Sequence, residues 1–366
     1  MKLAIITLTK QGLKTARRIA FLYKGEAHIY TPLALLEEVS SKDAALNLEE
    51  EGIIFPLKQP LKYSCGQLWK NYQGLIFIMA TGIVVRCLAP YLQDKKKDPA
   101  VVVLDEKGEY AISLLSGHLG GANRLAREIA HFLGGKAVIT TSSDIQGLPA
   151  LDVVAKELGF KVTPEGRFAQ VMGALVNGKR MGIWAEEPWQ ERLEKELKGL
   201  KVEPWSKYQG PEGWEAGILV TSRREKLPPG PWVFWRPQEL VAGVGCRKGI
   251  DYKSILRALG VAFKTAGRSL LSLKALATWE FKAKEEGLII VAQKFNVPLL
   301  SFSKDELLKV WEEYPGLSYS PLAQEKLGLG GVCEPAALLG ARKGELICKK
   351  IALNGVTVAL ARATYL

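Results

Sequence analysis

The first third of the chain alternates short apolar runs with segments of helical spacing. Residues 3–6, 75–79 and 101–105 form such runs, and amphipathic segments lie between them. Continuous apolar strands separated by helices are typical of a mostly parallel sheet that is covered on both faces. The pattern therefore predicts an α/β protein whose N-terminal lobe is a mostly parallel, three-layer α/β structure.

Changes in composition divide the chain into three predicted domains. An N-terminal α/β domain covers residues 1–144, and a C-terminal α/β domain covers residues 238–366. Between them, residues 145–237 contain six of the nine tryptophans and end in a proline-rich connector. We expect a small α+β domain there, with the tryptophans favoured as its core over a stacking surface for a flat ligand. The polar segment 40–52 is predicted to be helical.

The stretch 114–123 carries the principal candidate chemistry. It reads Leu-Leu-Ser-Gly-His-Leu-Gly-Gly-Ala-Asn and lies between a strand-like run and an amphipathic run. Ser116 is predicted to cap the helix that follows. His118, one of three histidines, is the candidate general base, and a histidine that caps its own loop is the alternative. Backbone N–H groups at the start of the helix are expected to be unpaired at Gly117, Gly120 and Gly121.

Polar groups at strand ends supply further candidates. Ligands of open α/β sheets bind at the carboxyl ends of the strands. Three candidate loops are predicted to follow the carboxyl ends of strands, at residues 80–82, 105–108 and 116–121. Arg86 lies in an apolar helix start and is expected to face a carboxylate, from Asp105 or from a ligand. A surface position is the alternative for this arginine.

The third domain also begins with a glycine-rich turn. Arg247 and Lys248 are predicted to form an anion cradle there, with a surface loop as the alternative. Glu334 is a candidate binding residue or a helix N-terminal charge. Ser116 and His118 are the candidate catalytic residues. The candidate binding residues are Thr81, Gly82, Arg86, Asp105, Gly117, Gly120, Gly121, Asn123, Arg247, Lys248 and Glu334.

Charge and composition narrow the classes of function. Fifty basic and 38 acidic side chains give a formal charge of +12, which favours an anionic partner. The lysines at 95–97 are predicted to form a solvated loop, and no nucleic-acid motif accompanies them. Five widely spaced cysteines without a C-x-x-C pair fit a reducing cytoplasm, without a disulfide framework or structural zinc. The most apolar stretch, 74–90, is interrupted and too short to span a membrane.

Several enzyme classes are disfavoured because their sequence motifs are absent or incomplete. The glycines at 243, 245 and 249 resemble a dinucleotide fingerprint, but the third comes one residue late. The chain has no Walker loop, no G-x-S-x-G elbow and no H-E-x-x-H motif. A Rossmann dehydrogenase, a P-loop enzyme and an ordinary α/β-hydrolase are therefore disfavoured.

Two groups of segments carry a resemblance to a known family. They are residues 81–86, 98–105 and 114–123 near the N-terminus, and 243–249, 276–278, 282–288 and 331–338 near the C-terminus. In these segments the chain resembles the cobalt-precorrin-5A hydrolase family of anaerobic cobalamin biosynthesis. The tryptophan-rich middle matches this family in position and length. Lys284 stands where an acidic side chain is expected, so it is assigned no role.

The resemblance implies a reaction and a substrate. The family opens a δ-lactone on the macrocycle and releases the C-20 carbon with its methyl group as acetaldehyde, giving cobalt-precorrin-5B. The cobalt arrives with the corrinoid substrate, so no cofactor and no metal site of the protein's own is expected. Helix-start N–H groups would stabilise the lactone oxyanion, and His118 would activate water.

The resemblance also bears on partners and on rival functions. It implies a cobalt-corrinoid partner and neither nucleic acid nor a membrane, while a homodimer and transient contacts with the methyltransferases of the pathway stay open. Two rivals remain. One is a non-catalytic tetrapyrrole carrier, and the other is a phosphate-using transferase with an anion site at residues 117–121.

Overall fold

The computed structural model describes residues 1–42, 53–57, 60–94 and 97–364. Most of the helix predicted at 40–52, and two of the three lysines at 95–97, lie outside the described residues. The chain divides into two compact units, Met1–Val153 and Val154–Leu366, which we describe separately. No helix within the described ranges is long and apolar enough to cross a lipid bilayer.

The first unit contains a seven-stranded sheet in the order β3-β2-β1-β4-β5-β6-β7. Its strands are β1 (Leu3–Thr7), β2 (Ala27–Pro32), β3 (Ile53–Leu57), β4 (Gly74–Ile78), β5 (Ala100–Leu104), β6 (Tyr110–Leu115) and β7 (Lys136–Val138). Its helices are α1 (Lys10–Leu22), α2 (Leu33–Lys42), α3 (Leu61–Asn71), α4 (Thr81–Leu88), α5 (Ala122–Leu133), α6 (Ser142–Ile145) and α7 (Leu151–Glu157), the last of which runs into the second unit.

Apolar residues bury both faces of the central strands, which explains the continuous apolar runs in the sequence. All five residues of β1, of β4 and of β5 are buried. Ile5 and Val102 share a core cluster with residues of α1 and α5. Ile6 and Val103, on the other face, share a cluster with residues of α3 and α4. The prediction of a three-layer, mostly parallel α/β lobe is confirmed.

Strand β6 is antiparallel to its neighbour β5, and this direction decides at which edge of the sheet the candidate loops lie. Strands β1 to β5 are parallel, but β6 is antiparallel to β5, with Val103 opposite Ile112. The carboxyl end of β6 therefore lies at the edge where β5 begins. Loops 80–82 and 105–108 are at one edge of the sheet, and the turn 116–121 is at the opposite edge. Each of the three loops follows the carboxyl end of a strand, as predicted, but the turn 116–121 does not share an edge of the sheet with the other two.

The tryptophan-rich segment of the second unit forms a five-stranded sheet in the order β10-β9-β11-β12-β8. Four of its tryptophans, Trp184, Trp189, Trp232 and Trp235, are almost fully buried, which confirms the core interpretation. The elements are β8 (Lys161–Thr163), α8 (Glu165–Val176), β9 (Met181–Ala185), α9 (Trp189–Glu196), β10 (Val202–Pro204), β11 (Ala216–Val220) and β12 (Trp232–Arg236).

The C-terminal segment forms another five-stranded sheet, in the order β15-β14-β13-β17-β16. Strands β13, β14 and β15 are parallel, and the hairpin of β16 and β17 is antiparallel to β13. The strands are β13 (Leu240–Cys246), β14 (Leu273–Trp279), β15 (Leu299–Phe302), β16 (Glu345–Leu353) and β17 (Val356–Arg362). The helices are α10 (Tyr252–Thr265), α11 (Glu286–Phe295), α12 (Lys304–Glu313), α13 (Pro321–Leu327) and α14 (Cys333–Gly340).

Buried hydrogen bonds join the two sheets of the second unit. Ser222, which follows β11, donates its hydroxyl to the carboxylate of Glu239, which precedes β13. The indole N–H of Trp189 donates to the same carboxylate at 2.9 Å. The three sheets follow the three predicted domains, although the last two segments form one compact unit. The three-domain division stays a prediction.

Candidate active site

The turn after β6 is longer than the sequence analysis expects. Ser116 adopts a left-handed backbone conformation with φ of 56°. Helix α5 begins at Ala122, and its N-cap is Gly121, which has φ of 89°. The hydroxyl of Ser116 donates to the carbonyl of Asp98 at 2.9 Å. The prediction that Ser116 caps the helix is therefore wrong, because five more residues intervene.

Only part of the backbone in this turn is available to a ligand. The N–H groups of residues 121–123 donate to the carbonyls of residues 116–118 at 2.9 to 3.2 Å. The predicted free N–H of Gly121 is thus already used within the turn. Those of Gly117 and Gly120 have no hydrogen-bond acceptor among the residues that the structure describes. These two groups are the donors that a ligand anion could use.

The imidazole of His118 lies between two carboxylates. Its Nε2 atom is 2.9 Å from Oδ2 of Asp144 and 3.2 Å from the hydroxyl of Ser143. Its Nδ1 atom is 3.7 Å from Oδ1 of Asp152. The side chain is 17% exposed, so it is largely enclosed and still reached by solvent. The two carboxylates face the two ring nitrogens and so fix the orientation of the ring, which suits a group that transfers a proton.

Asp144 is itself held in place by donors. Arg127 donates to its Oδ1 atom at 2.5 Å, and the Asn123 amide donates to its Oδ2 atom at 2.8 Å. Burial acts to raise the pKa of Asp144, but the hydrogen bonds from Arg127 and His118 outweigh it and lower that pKa. Asp144 is therefore an ionised acceptor for an imidazole N–H at neutral pH.

Asn123 lies in the interior, although the sequence analysis names it as a binding residue. The residue is only 4% exposed. The carbonyl oxygen accepts from the hydroxyl of Ser113 at 2.7 Å, and the amide donates to Thr141 as well as to Asp144. With its amide engaged in this way, Asn123 orients Asp144.

The opposite edge of the sheet contains a cavity of about 420 Å³, lined in part by Thr81, Asp105 and Tyr110. Asp105 accepts from the backbone N–H groups of Lys107 and Tyr110. Burial acts to raise the pKa of Asp105, but these backbone hydrogen bonds lower it overall. Asp105 therefore shapes its own turn beside the cavity.

Arg86 does not occupy the position expected from the sequence. It is exposed, and its guanidinium donates to the carbonyl of Gly82 at 3.1 Å. The expectation that it faces Asp105 is wrong, because helix α4 directs it to the surface. Gly82 is also exposed, in the first turn of that helix.

Candidates in the second unit separate into exposed and buried groups. Arg247 and Lys248 are exposed. Glu334 is 1% exposed, and it accepts hydrogen bonds from the N–H and hydroxyl of Ser318 and from the N–H of Lys350. The carboxylate of Glu334 thus joins three segments of its own domain. The prediction that it binds substrate is corrected, because a substrate cannot reach it.

Ser143, Asp144 and Asp152 also surround the imidazole, and none of them is predicted from the sequence. The signal that could have found the first two is their position after β7, which pairs in parallel with β6. Two parallel neighbours end at the same edge, so residues after β7 are expected beside the turn of His118. Among the described residues, no cluster of histidine, cysteine or carboxylate side chains could hold a metal ion.

Three family descriptions match successive parts of the chain. They are "Cobalamin synthesis G N-terminal" at residues 64–144, "Cobalamin biosynthesis central region" at 149–237 and "Cobalamin synthesis G C-terminus" at 240–361. The chain is also 35% identical over 364 residues to the "Cobalt-precorrin-5A hydrolase" of Salmonella typhimurium, with 98% of this chain and 97% of that protein covered. The chain belongs to the cobalt-precorrin-5A hydrolase family.

A second member of the cobalt-precorrin-5A hydrolase family shows the same extent of likeness. The protein of that name from Priestia megaterium is 32% identical over 366 residues, covering 98% of this chain and 94% of the relative. The N-terminal match, at 64–144, includes His118 and Asp144. Asp152 falls within the match to the central region.

Proposed function

We propose that this chain hydrolyses the δ-lactone of cobalt-precorrin-5A and releases acetaldehyde to give cobalt-precorrin-5B. The observation that carries the proposal is that the chain is 35% and 32% identical, over 98% of its length, to two proteins named cobalt-precorrin-5A hydrolase. Family likeness alone does not assign the chemistry to residues, because function depends on the site. The surroundings of His118 supply that part of the argument.

The first step is the attack of water on the lactone carbonyl. In this mechanism the Nε2–H of His118 donates a hydrogen bond to Asp144, so the lone pair of the neutral ring is on Nδ1. Nδ1 takes a proton from water as the water oxygen bonds to the carbonyl carbon. Asp152, 3.7 Å from Nδ1, then stabilises the imidazolium. The roles of the carboxylates are to orient the ring and to balance its charge.

The N–H groups of Gly117 and Gly120 stabilise the oxyanion of the tetrahedral intermediate. When the ring C–O bond breaks, the imidazolium returns its proton to the leaving oxygen, giving an alcohol and a carboxylic acid, which ionises by releasing its proton to solvent. His118 is neutral again and removes the alcohol proton as the adjacent carbon–carbon bond breaks. The bonding electrons pass to the macrocycle with its cobalt, and acetaldehyde leaves.

An anaerobic assay with cobalt-precorrin-5A tests the function and the base together. Acetaldehyde is measured by coupled reduction with NADH. The H118Q variant keeps an amide donor for Asp144 but has no base, so turnover should fall by about a hundredfold or more. His131 is exposed on α5, and H131Q is the matched control with unchanged turnover.

Each result has a distinct meaning. Near-normal release by H118Q would exclude His118 as the base. Stoichiometric corrinoid binding by the wild type without any acetaldehyde would instead identify a carrier. Unchanged melting temperatures of both variants would show that the comparison concerns chemistry and not folding.

A further inference from the structure

Two loops of the C-terminal sheet are fixed against each other at its carboxyl edge. Strands β13 and β14 are parallel neighbours, with Gly243 opposite Ala277, so the loops that follow them leave from the same edge. Glu285 connects these loops. Its Oε2 atom accepts from the N–H of Gly249 at 2.8 Å, and its Oε1 atom accepts from Nζ of Lys282 at 3.0 Å. The surface that they form is therefore held in one arrangement.

An aromatic ring is exposed on this surface. Phe281 is 70% exposed, and its ring centroid is 4.8 Å from that of Trp279 at an interplanar angle of 57°. The indole supports one side of the ring and leaves the remainder open to solvent. An isolated exposed apolar side chain needs no explanation. This one is notable because the loop connected to its own through Glu285 carries two exposed cations.

Two cations lie on the neighbouring loop. Arg247 and Lys248 are exposed directly after β13. Neither forms an ion pair with another residue in the described part of the chain. Lys282, by contrast, is paired with Glu285. A guanidinium and an ammonium on the loop that Glu285 connects to the loop of the open aromatic ring suit a wide ligand with a flat apolar face and an anionic rim.

We propose that Phe281, Arg247 and Lys248 form a corrinoid-binding patch, in which the macrocycle rests on the Phe281 ring and its carboxylates contact the two cations. The proposal rests on the proposed function for the identity of the ligand. Residues 247 and 248 are candidates from the sequence, whereas Phe281 emerges only from the structure. Glu280 is exposed next to Phe281, so its charge opposes an anionic rim.

Equilibrium binding of two stable corrinoids tests the patch without turnover. Cobyrinic acid carries free carboxylates, and cobinamide carries amides in their place. F281A should weaken the binding of both about tenfold, and F281Y, which keeps the ring, should restore it. The control is F21A, which removes a phenylalanine 56% exposed on α1 of the first unit.

The charges are tested separately. The double variant R247A/K248A should weaken cobyrinic acid about tenfold at low salt, less at high salt, and leave cobinamide unaffected. E280Q should strengthen the binding of cobyrinic acid. The proposal is overturned if F281A binds both corrinoids as F21A does, or if the wild type binds neither.

These outcomes are independent of the assay for acetaldehyde. A wild type that releases acetaldehyde while F281A keeps full affinity and KM would preserve the function and reject the patch. A wild type that releases none, while F281A loses affinity, would reject the function and preserve a corrinoid-binding patch. In an active enzyme, F281A should raise KM and leave kcat near normal.

Discussion

Two glycine-rich turns of this protein join a strand to a helix, and they differ in what occupies their backbone donors. In the turn at 116–121, the N–H groups of Gly117 and Gly120 have no acceptor among the described residues. In the turn that follows β13, at residues 247–251, the N–H of Gly249 donates to the carboxylate of Glu285. The first turn can receive an anion from a ligand, whereas the second already holds one from its own chain.

The glycines in the first turn and those in the strand before the second turn serve different purposes. A Cβ atom at Gly120 would lie 2.7 Å from the carbonyl oxygen of Ser116, within the same turn. A Cβ atom at Gly243 would lie 1.8 Å from the carbonyl oxygen of Cys333, on the helix packed against β13. Glycine permits a tight turn in one place and close helix–strand packing in the other. A glycine pattern alone therefore indicates a close approach of the backbone, without telling what approaches it.

The largest expected effect is on the chemistry of the first turn, in the variant D144N. An asparagine at this position can present its amide to the imidazole and stabilise the wrong tautomer, so turnover should fall about a hundredfold. Acetaldehyde release at saturating substrate measures this. D144N with normal turnover would show that the carboxylate has no part in positioning His118.

The same variant has a predictable dependence on pH. The pKa of Asp144 is lowered in the folded protein, so its ionised form stabilises the fold at pH values above the unfolded pKa of about 3.9. That contribution is lost as the pH falls through the folded pKa. The difference in free energy of unfolding between wild type and D144N should therefore shrink below about pH 4, as measured by urea titration.

A smaller effect is expected on the stability of the second unit, in the variant G243A. The added methyl group meets a backbone oxygen, so α14 must move away from β13. The free energy of unfolding should fall by about 2 kcal/mol, as measured by denaturant titration. The turnover number of the folded fraction should be retained. The control A275G, on neighbouring β14, tests whether any substitution in this sheet lowers the free energy of unfolding by the same amount.

The layered architecture of the first unit could be predicted because Ile5, Ile76 and Val102 belong to strands that are apolar on both faces. The hydrophobic pattern does not give the direction of β6, because such a pattern looks the same in parallel and antiparallel strands. The sequence nevertheless contained the answer. Residues 105–109 are too few for a crossover between parallel strands, which needs a dozen or more residues, so they require an antiparallel hairpin.

The site could be predicted only where its signal is local. His118 stands among glycines, and that neighbourhood identifies it. Asp144 and Asp152 have no comparable local pattern. They reach the imidazole only because the chain that follows β7 folds back beside the turn of His118. Glu334 was misassigned for the related reason that its partners, Ser318 and Lys350, come from distant segments. Pairing partners depend on tertiary structure, and a single sequence does not display them.

The smallest effect is expected for E285A, which removes the carboxylate that accepts from the N–H of Gly249 in the second turn. The pair of Glu285 with Lys282 lies near the surface, so E285A should lower the free energy of unfolding by less than about 1 kcal/mol. Because it frees the N–H of Gly249, the variant should also gain stabilisation by sulfate beyond that of the wild type. E285Q, which keeps an acceptor for this N–H, is the matched control and should not gain it. An identical sulfate dependence in all three proteins would show that the two turns do not differ in the availability of their donors.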